Sequence, residues 1–200
     1  MVRKEYSAGM VKLSFWFSEF RKIIQLINSG KTMEEIKALN IEENIFAAPT
    51  AARATQIFNT VSNRVKSLDE SFYKLFKESD VSTQKIIALI AVMNVDSLFF
   101  DFVYEVYREK LIIGSNRLAD SDIRVFFKDK QVQSEKVAGW TDYTLKRLGT
   151  CYKTLLMEAG VMNRASGDHE LLKPILDIAL ESCLKDRGMV LFVRALTGVR

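Results

Sequence analysis

A chain of 200 residues, 48% hydrophobic and 27% charged, has an ordinary globular balance and enough length for one large core or two small ones. Nine Gly and two Pro exclude a collagen-like or low-complexity chain, and two Cys are too few for a disulfide framework. The net charge is only +4, but it is unevenly spread. Lys/Arg exceed Asp/Glu ten to six over residues 1–66 and ten to seven over 136–200, and fall short nine to twelve over 67–135. Basic ends around an acidic middle point to a polyanionic partner for the ends.

Leu13, Trp16, Phe17, Phe20, Ile23, Ile24 and Ile27 repeat at helical spacing and predict a first helix that stops at Gly30. Thr32-Met-Glu-Glu35 fits a capping box that opens a second helix through about Leu39, with another turn of helix over 40–46. Pro49-Thr50 then starts a third helix with Thr50 as N-cap and Ala54, Ile57, Phe58, Val61, Val65 and Leu68 on its apolar face. Three helices in this space suggest a helix-turn-helix type unit, although the link before the third is longer than that motif's tight turn. Further helices are expected from Asp69 to Glu78, from a Ser82 cap to Met93, from an Asp96 cap to Ile113, and from Asp120 or Ser121 to Lys130. The Ile86–Met93 run is too short to span a membrane, which takes about 20 mostly apolar residues, and Asn94, Asp96, Asp101 and Glu105 follow it closely. The N-terminus has no apolar h-region with a cleavage site, so a soluble, cytoplasmic protein is expected.

Residues 131–139 are read as a linker. Thr141 caps a helix to Ala159, with Gly160 after it. Val161–Asn163 and His169–Leu172 predict a hairpin around Arg164-Ala-Ser-Gly-Asp168, so the helix and hairpin together suggest a winged helix. Pro174 starts a helix through Lys185, and Met189–Leu196 leans to helix. The expected fold is therefore all-α: a helical bundle with a helix-turn-helix-like unit over 1–68, a central bundle over 69–135 and a winged-helix-like unit with one short β-hairpin over 136–200. These spans can also pack as one compact domain.

Two surfaces are candidates for double-stranded DNA. APTAARATQIFNTVSNRVK, residues 48–66, has three cations and no acid. Its outward stripe is expected to be Arg53, Gln56, Asn59, Thr60, Asn63 and Arg64, with Lys66 beyond and Thr50 able to hold a phosphate at the helix start. Arg reads guanine, Asn and Gln read adenine, and an acid on such a face would repel phosphates. The second stripe is Tyr143, Lys146, Arg147, Thr150 and Lys153, with Asp142 as the one acid near its start and Arg164 reaching from the hairpin. Trp140 is read as a boundary core residue, with a platform for nucleic acid as the other reading.

Signals for catalysis are poor. There is no phosphate-cradling Gly-rich loop. His169 is the one histidine and is read as a surface residue, and Cys151 and Cys183 as reduced core thiols. Asp101 and Glu105 share a face at i and i+4 and could hold a metal, but solvation and capping explain such carboxylates more cheaply. No catalysis, cofactor or metal is expected.

Tyr6-Ser-Ala-Gly9, Glu19 with Arg21-Lys22, Glu42-Glu-Asn-Ile-Phe46, Asp120-Ser-Asp-Ile-Arg-Val-Phe-Phe127 and Trp140-Thr-Asp-Tyr-Thr-Leu-Lys-Arg147 stand in an order that resembles the BrxA family of bacterial BREX phage-defence systems. The resemblance spans about Tyr6 to Leu196. It implies a helical, DNA-binding, non-catalytic protein with plain or winged helix-turn-helix elements and a fold likened to the antitermination factor NusB. It also implies a role beside a DNA methyltransferase, an ATPase and other BREX proteins. The DNA contact it implies falls on residues 50–66 and 140–153. The alternative is an adaptor within that assembly, which would use the acidic middle and an exposed apolar tail at Leu191, Phe192 and Leu196. The residues themselves leave oligomeric state open.

Overall fold

The computed structural model describes residues 4–165 and 168–199. Most of them are helical, as expected, and the only sheet among them has three short strands. The chain divides into two compact units, 16–95 and a discontinuous unit made of 1–15 with 96–200. Neither boundary coincides with the three expected spans. The reason is a long-range return: the N-terminal segment packs with residues far along the chain, which no local composition shift announces.

The unit over 16–95 holds five helices: α1 Phe17–Asn28, α2 Met33–Glu43, α3 Ala51–Lys66, α4 Glu70–Glu78 and α5 Val81–Val95. The capping box forms as the spacing predicts. Thr32 Oγ1 accepts the Glu35 N–H and the Glu35 carboxylate accepts the Thr32 N–H at 2.7 Å. That bond to the Thr32 backbone holds the Glu35 carboxyl below its ordinary value. Thr50 caps α3, Asp69 caps α4, and the helix expected to end at Leu39 continues to Glu43. The cap of α5 is Asp80, not Ser82, which lies inside the first turn; the Asp80 carboxylate accepts the Thr83 N–H at 2.7 Å. α1, α3, α4 and α5 enclose Phe20, Ile23, Ile24, Val61, Val65, Phe72 and Phe76, with Phe76 tilted against Phe17 and Phe20. From Ile86 to Met93 every side chain of α5 is buried, as an all-round apolar helix requires.

The second unit begins with a 3₁₀ turn, Gly9–Lys12, and resumes with α6 Ser97–Phe102, capped by Asp96. A π turn, Val103–Tyr107, joins α6 to α7 Arg108–Ile112. Then come β1 Arg117–Leu118, α8 Asp120–Gln133, α9 Glu135–Ala138, α10 Asp142–Glu158, β2 Met162–Ala165, β3 Asp168–Leu171, α11 Ile178–Asp186 and α12 Val190–Thr197. The expected linker 131–139 is therefore largely helical, and Pro174 precedes α11 by several residues because Asp177 is the cap. The hairpin β2–β3 forms in the expected place, and Ser166 and Gly167 of its tip lie outside the described residues. β1 was not expected. It pairs antiparallel with β3, giving the order β1-β3-β2, with Arg117 opposite Glu170 and Leu118 opposite His169. His169 is accordingly half-buried in the central strand and is not a free surface residue.

The core of this unit is aromatic. Tyr152 of α10 meets Phe99, Phe102 and Phe127 with ring centroids 5.0, 5.1 and 5.9 Å away, and Phe102 meets Phe126 edge-on at 5.3 Å. Burial pushes the Tyr152 phenol well above its ordinary value, and its hydroxyl has no partner among the described residues. A buried hydroxyl without a bond costs about 1–3 kcal/mol. Tyr152→Phe is therefore expected to leave the midpoint of thermal unfolding unchanged or to raise it.

α8 and α10 approach closely at Gly149, where an added Cβ would stand 2.7 Å from Ile123 Cγ2. Gly149→Ala gains about 1 kcal/mol of helix propensity but forces this buried contact apart, and overpacking costs about 1–3 kcal/mol. Net destabilisation is expected in urea unfolding, with Ile123→Ala in the same chain relieving part of the clash.

The apolar tail whose exposure would favour the adaptor alternative is exposed only in part. α12 buries Phe192 and Leu196, with Phe192 against Phe100 at 5.0 Å, and leaves Leu191 half exposed.

Candidate nucleic-acid interface

α10 presents the stripe whose cations stand outward. Thr141 opens it, its hydroxyl accepting the Thr144 N–H. Leu145, Leu148, Tyr152, Leu155 and Leu156 turn inward, so Tyr143, Lys146, Arg147 and Thr150 stand exposed. Tyr143 keeps 71% of its surface in solvent. Asn163 and Arg164 are exposed on β2 directly after the helix. Lys153 is only partly exposed and binds Asp120 at 2.8 Å, and this bond, with its charge, holds the Asp120 carboxyl below its ordinary value. Trp140 is half-buried.

The N-terminal segment lies along the same helix. Arg147 Nη2 donates to the Val11 carbonyl at 3.4 Å, and the Cys151 thiol to the Met10 carbonyl at 3.5 Å. Between them is a cavity of about 430 Å³ with Lys12, Ser14, Arg147, Thr150 and Thr154 on its wall. Lys12 is exposed and is a cation that reading residue by residue missed, since its neighbours are far along the chain. Burial pushes the Cys151 thiol up, so it is not poised as a nucleophile; both cysteines are half-buried.

α3 is arranged differently. Thr50 caps it as expected, and Asn59, Asn63 and Lys66 are exposed, with Gln56 and Thr60 half-buried. Its arginines do not stand outward. Arg53 donates to Gln56 Oε1 at 2.7 Å and stacks over the Trp16 ring at 4.9 Å. Arg64, expected on the outward stripe, is 2% exposed and lies 5.8 Å from the centre of the same ring. Trp16 reaches this position in a left-handed conformation, φ 51° and ψ 49°, just before α1. That is rare for a bulky residue and costs on the order of 1–3 kcal/mol. Lys66 is the cation left exposed on α3, against Lys146 and Arg147 on α10, where exposed Asp142 stands at the helix start.

Asp101 and Glu105 hold a lysine. Lys130 Nζ lies 2.6 Å from Glu105 Oε1 and 3.3 Å from Asp101 Oδ2, and the Tyr6 hydroxyl donates to the same Asp101 oxygen at 2.5 Å. Lys130 and Asp101 are each 2% exposed. The described residues contain no group of three His, Cys, Asp or Glu placed to hold a metal ion. No single helix among them is long and apolar enough to cross a membrane.

A family model described as BrxA matches residues 4–188. The chain belongs to the BrxA family. A relative in Bacillus cereus (strain H3081.97), named BREX protein BrxA, is 35% identical over 199 residues, covering 99% of this chain and all of that protein. The crystal structure of an uncharacterized protein from Magnetospirillum magneticum has the same fold, with a TM-score of 0.79 and 18% identity over 98% of this chain and all of that one. In this BrxA-family chain the motifs Asp120–Phe127 and Trp140–Arg147 fall on α8 and on the start of α10, the two helices that meet at Gly149.

Proposed function

We propose that this chain is an accessory protein of a BREX phage-defence system that binds duplex DNA without catalysing a reaction. The observation that carries the reading is the exposed row Tyr143, Lys146, Arg147 and Thr150 on a helix that leads into a hairpin bearing exposed Arg164. The order α7, β1, α8, α9, α10, β2, β3, with the sheet paired β1-β3-β2, supports reading this part of the chain as a winged helix-turn-helix, with α9 as an extra turn of helix. In that arrangement α10 is the groove-reading helix and β2–β3 the wing. Tyr143, exposed at the start of α10, meets base edges or sugar in this reading. Lys146, Arg147 and Arg164 neutralise phosphates, with Lys12 beside them, and Thr50, Asn59, Asn63 and Lys66 of α3 form a second, weaker contact.

Binding of purified protein to labelled duplex DNA and to RNA across a salt series tests this. A steep linear fall of log affinity with log salt, with RNA weaker, is the expected result, each phosphate contact adding about 0.9 to the slope. Absence of duplex binding at low salt overturns the reading.

A further inference from the structure

We propose that the groove between α7 and α8 is a docking site for a basic, amphipathic helix of a protein partner. The groove, about 260 Å³, is lined by Glu105, Val106, Glu109, Lys110 and Ile113 on one side and Asp122, Val125, Phe126 and Asp129 on the other. No residue of α10 or of the hairpin takes part, so the site is separate from the DNA surface and does not rest on that reading.

Two features select the occupant. The first is apolar surface left in water. Ile113 is 71% exposed, Val125 59% and, two turns along α8, Val132 89%. Val106 and Ile113 bound the first wall, which begins in the π turn, and Val125 with Phe126 stands on the second; Val132 continues the Val125 face of α8 beyond the groove. A third helix laid in the groove meets these apolar side chains with residues at i, i+3, i+4 and i+7.

The second is charge. The nine lining residues include four carboxylates and one ammonium. Lys110 is bound to Asp122 at 2.8 Å and Arg108 to Glu109 at 2.5 Å, so those charges offset each other. Glu105 shares Lys130 with Asp101, and Asp129 is exposed, so the rim keeps a net negative charge. Such a rim repels nucleic acid and acidic helices and favours Lys or Arg beside the apolar anchors.

The test uses the full chain and two labelled helical peptides with Leu at i, i+3, i+4 and i+7, one with Lys at the remaining positions and one with Glu. Fluorescence anisotropy should show binding of the Lys peptide and not of the Glu peptide. Ile113→Lys with Val125→Lys should weaken the Lys peptide by about thirtyfold, two anchors being lost, with duplex binding unchanged. Both positions are exposed, so the fold should persist. Asp129→Lys alone should give a smaller loss in the same direction, and it serves as the readout if the double variant melts early. Equal binding of the Lys peptide to wild type and variants, or equal binding of the two peptides, overturns the proposal. So does sedimentation in which the chain self-associates and the double variant is monomeric, because the groove's occupant is then a second copy.

Discussion

Lys130→Met should lower the unfolding free energy by about 3–5 kcal/mol, the usual cost of removing one partner from a buried ion pair. The cost comes from what remains. Asp101 is 2% exposed, and removing the ammonium takes the countercharge from a buried carboxylate while the Tyr6 hydroxyl stays. Lys130 also sits 5.5 Å from the Phe126 ring and 5.8 Å from that of Tyr6, so the cation stabilises the faces that surround it. Urea unfolding measures the loss, and Lys130→Met with Asp101→Asn should recover a large part of it. Full recovery by Asp101→Asn alone, without the lysine change, is not expected, since a lysine then lies buried beside one half-exposed carboxylate.

The same pair sets an alkaline limit. Burial pulls the Lys130 ammonium down, but the Glu105 hydrogen bond and the charges of Asp101 and Glu105 outweigh it and hold its pKa above the ordinary lysine value. A raised folded-state pKa means that the contribution is complete below the ordinary lysine pKa, near 10.4, and disappears as pH rises through the folded value. Near neutral pH the lysine should therefore add no slope to stability. The loss should appear above about pH 10, and Lys130→Met should abolish that part of the pH profile.

Lys146→Glu with Arg147→Glu should have the largest effect on DNA. Two phosphate contacts are removed and two like charges added on an exposed face, so the salt slope should fall by about two units and affinity at moderate salt by well over tenfold. Neither side chain is buried, so thermal unfolding should be nearly unchanged. The comparison on α3 is instructive. Lys66→Glu with Asn63→Ala should weaken binding only slightly. Arg64→Glu should instead destabilise the protein, since it places a carboxylate at a 2% exposed position against Trp16. Equal loss from the α10 and α3 variants would contradict the ranking of the two surfaces.

What the sequence disclosed follows the range of the interaction. Thr32, Thr50, Asp96 and Thr141 act within three residues of themselves, and each was legible as a cap. The α10 stripe was legible because helical period alone separates Lys146 and Arg147 from Leu145 and Leu148. β1 was not, because two residues carry no period and exist as a strand only through pairing with β3. Arg64 was misplaced because Trp16, from outside the helix, covers it. That clamp also gives the acid-free stretch a second explanation: its arginines are used against an indole, so freedom from acids does not by itself make a helix a DNA surface. Asp101 and Glu105 could be placed on one face, yet their partner, Lys130, lies on another helix.

The discontinuous unit has a consequence for synthesis. Residues 16–95 leave the ribosome as a continuous stretch with their own core, whereas residues 4–15 emerge before them and pair with residues that come after them. Met10 and Val11 cannot reach Cys151 and Arg147 until α10 has been translated, which at about 5–20 residues per second is a wait of roughly ten seconds or more. During that interval the nascent N-terminal strand is open to proteases and chaperones while the helices behind it are already packed. Its sealing against α10 is therefore a late event in the folding of this unit.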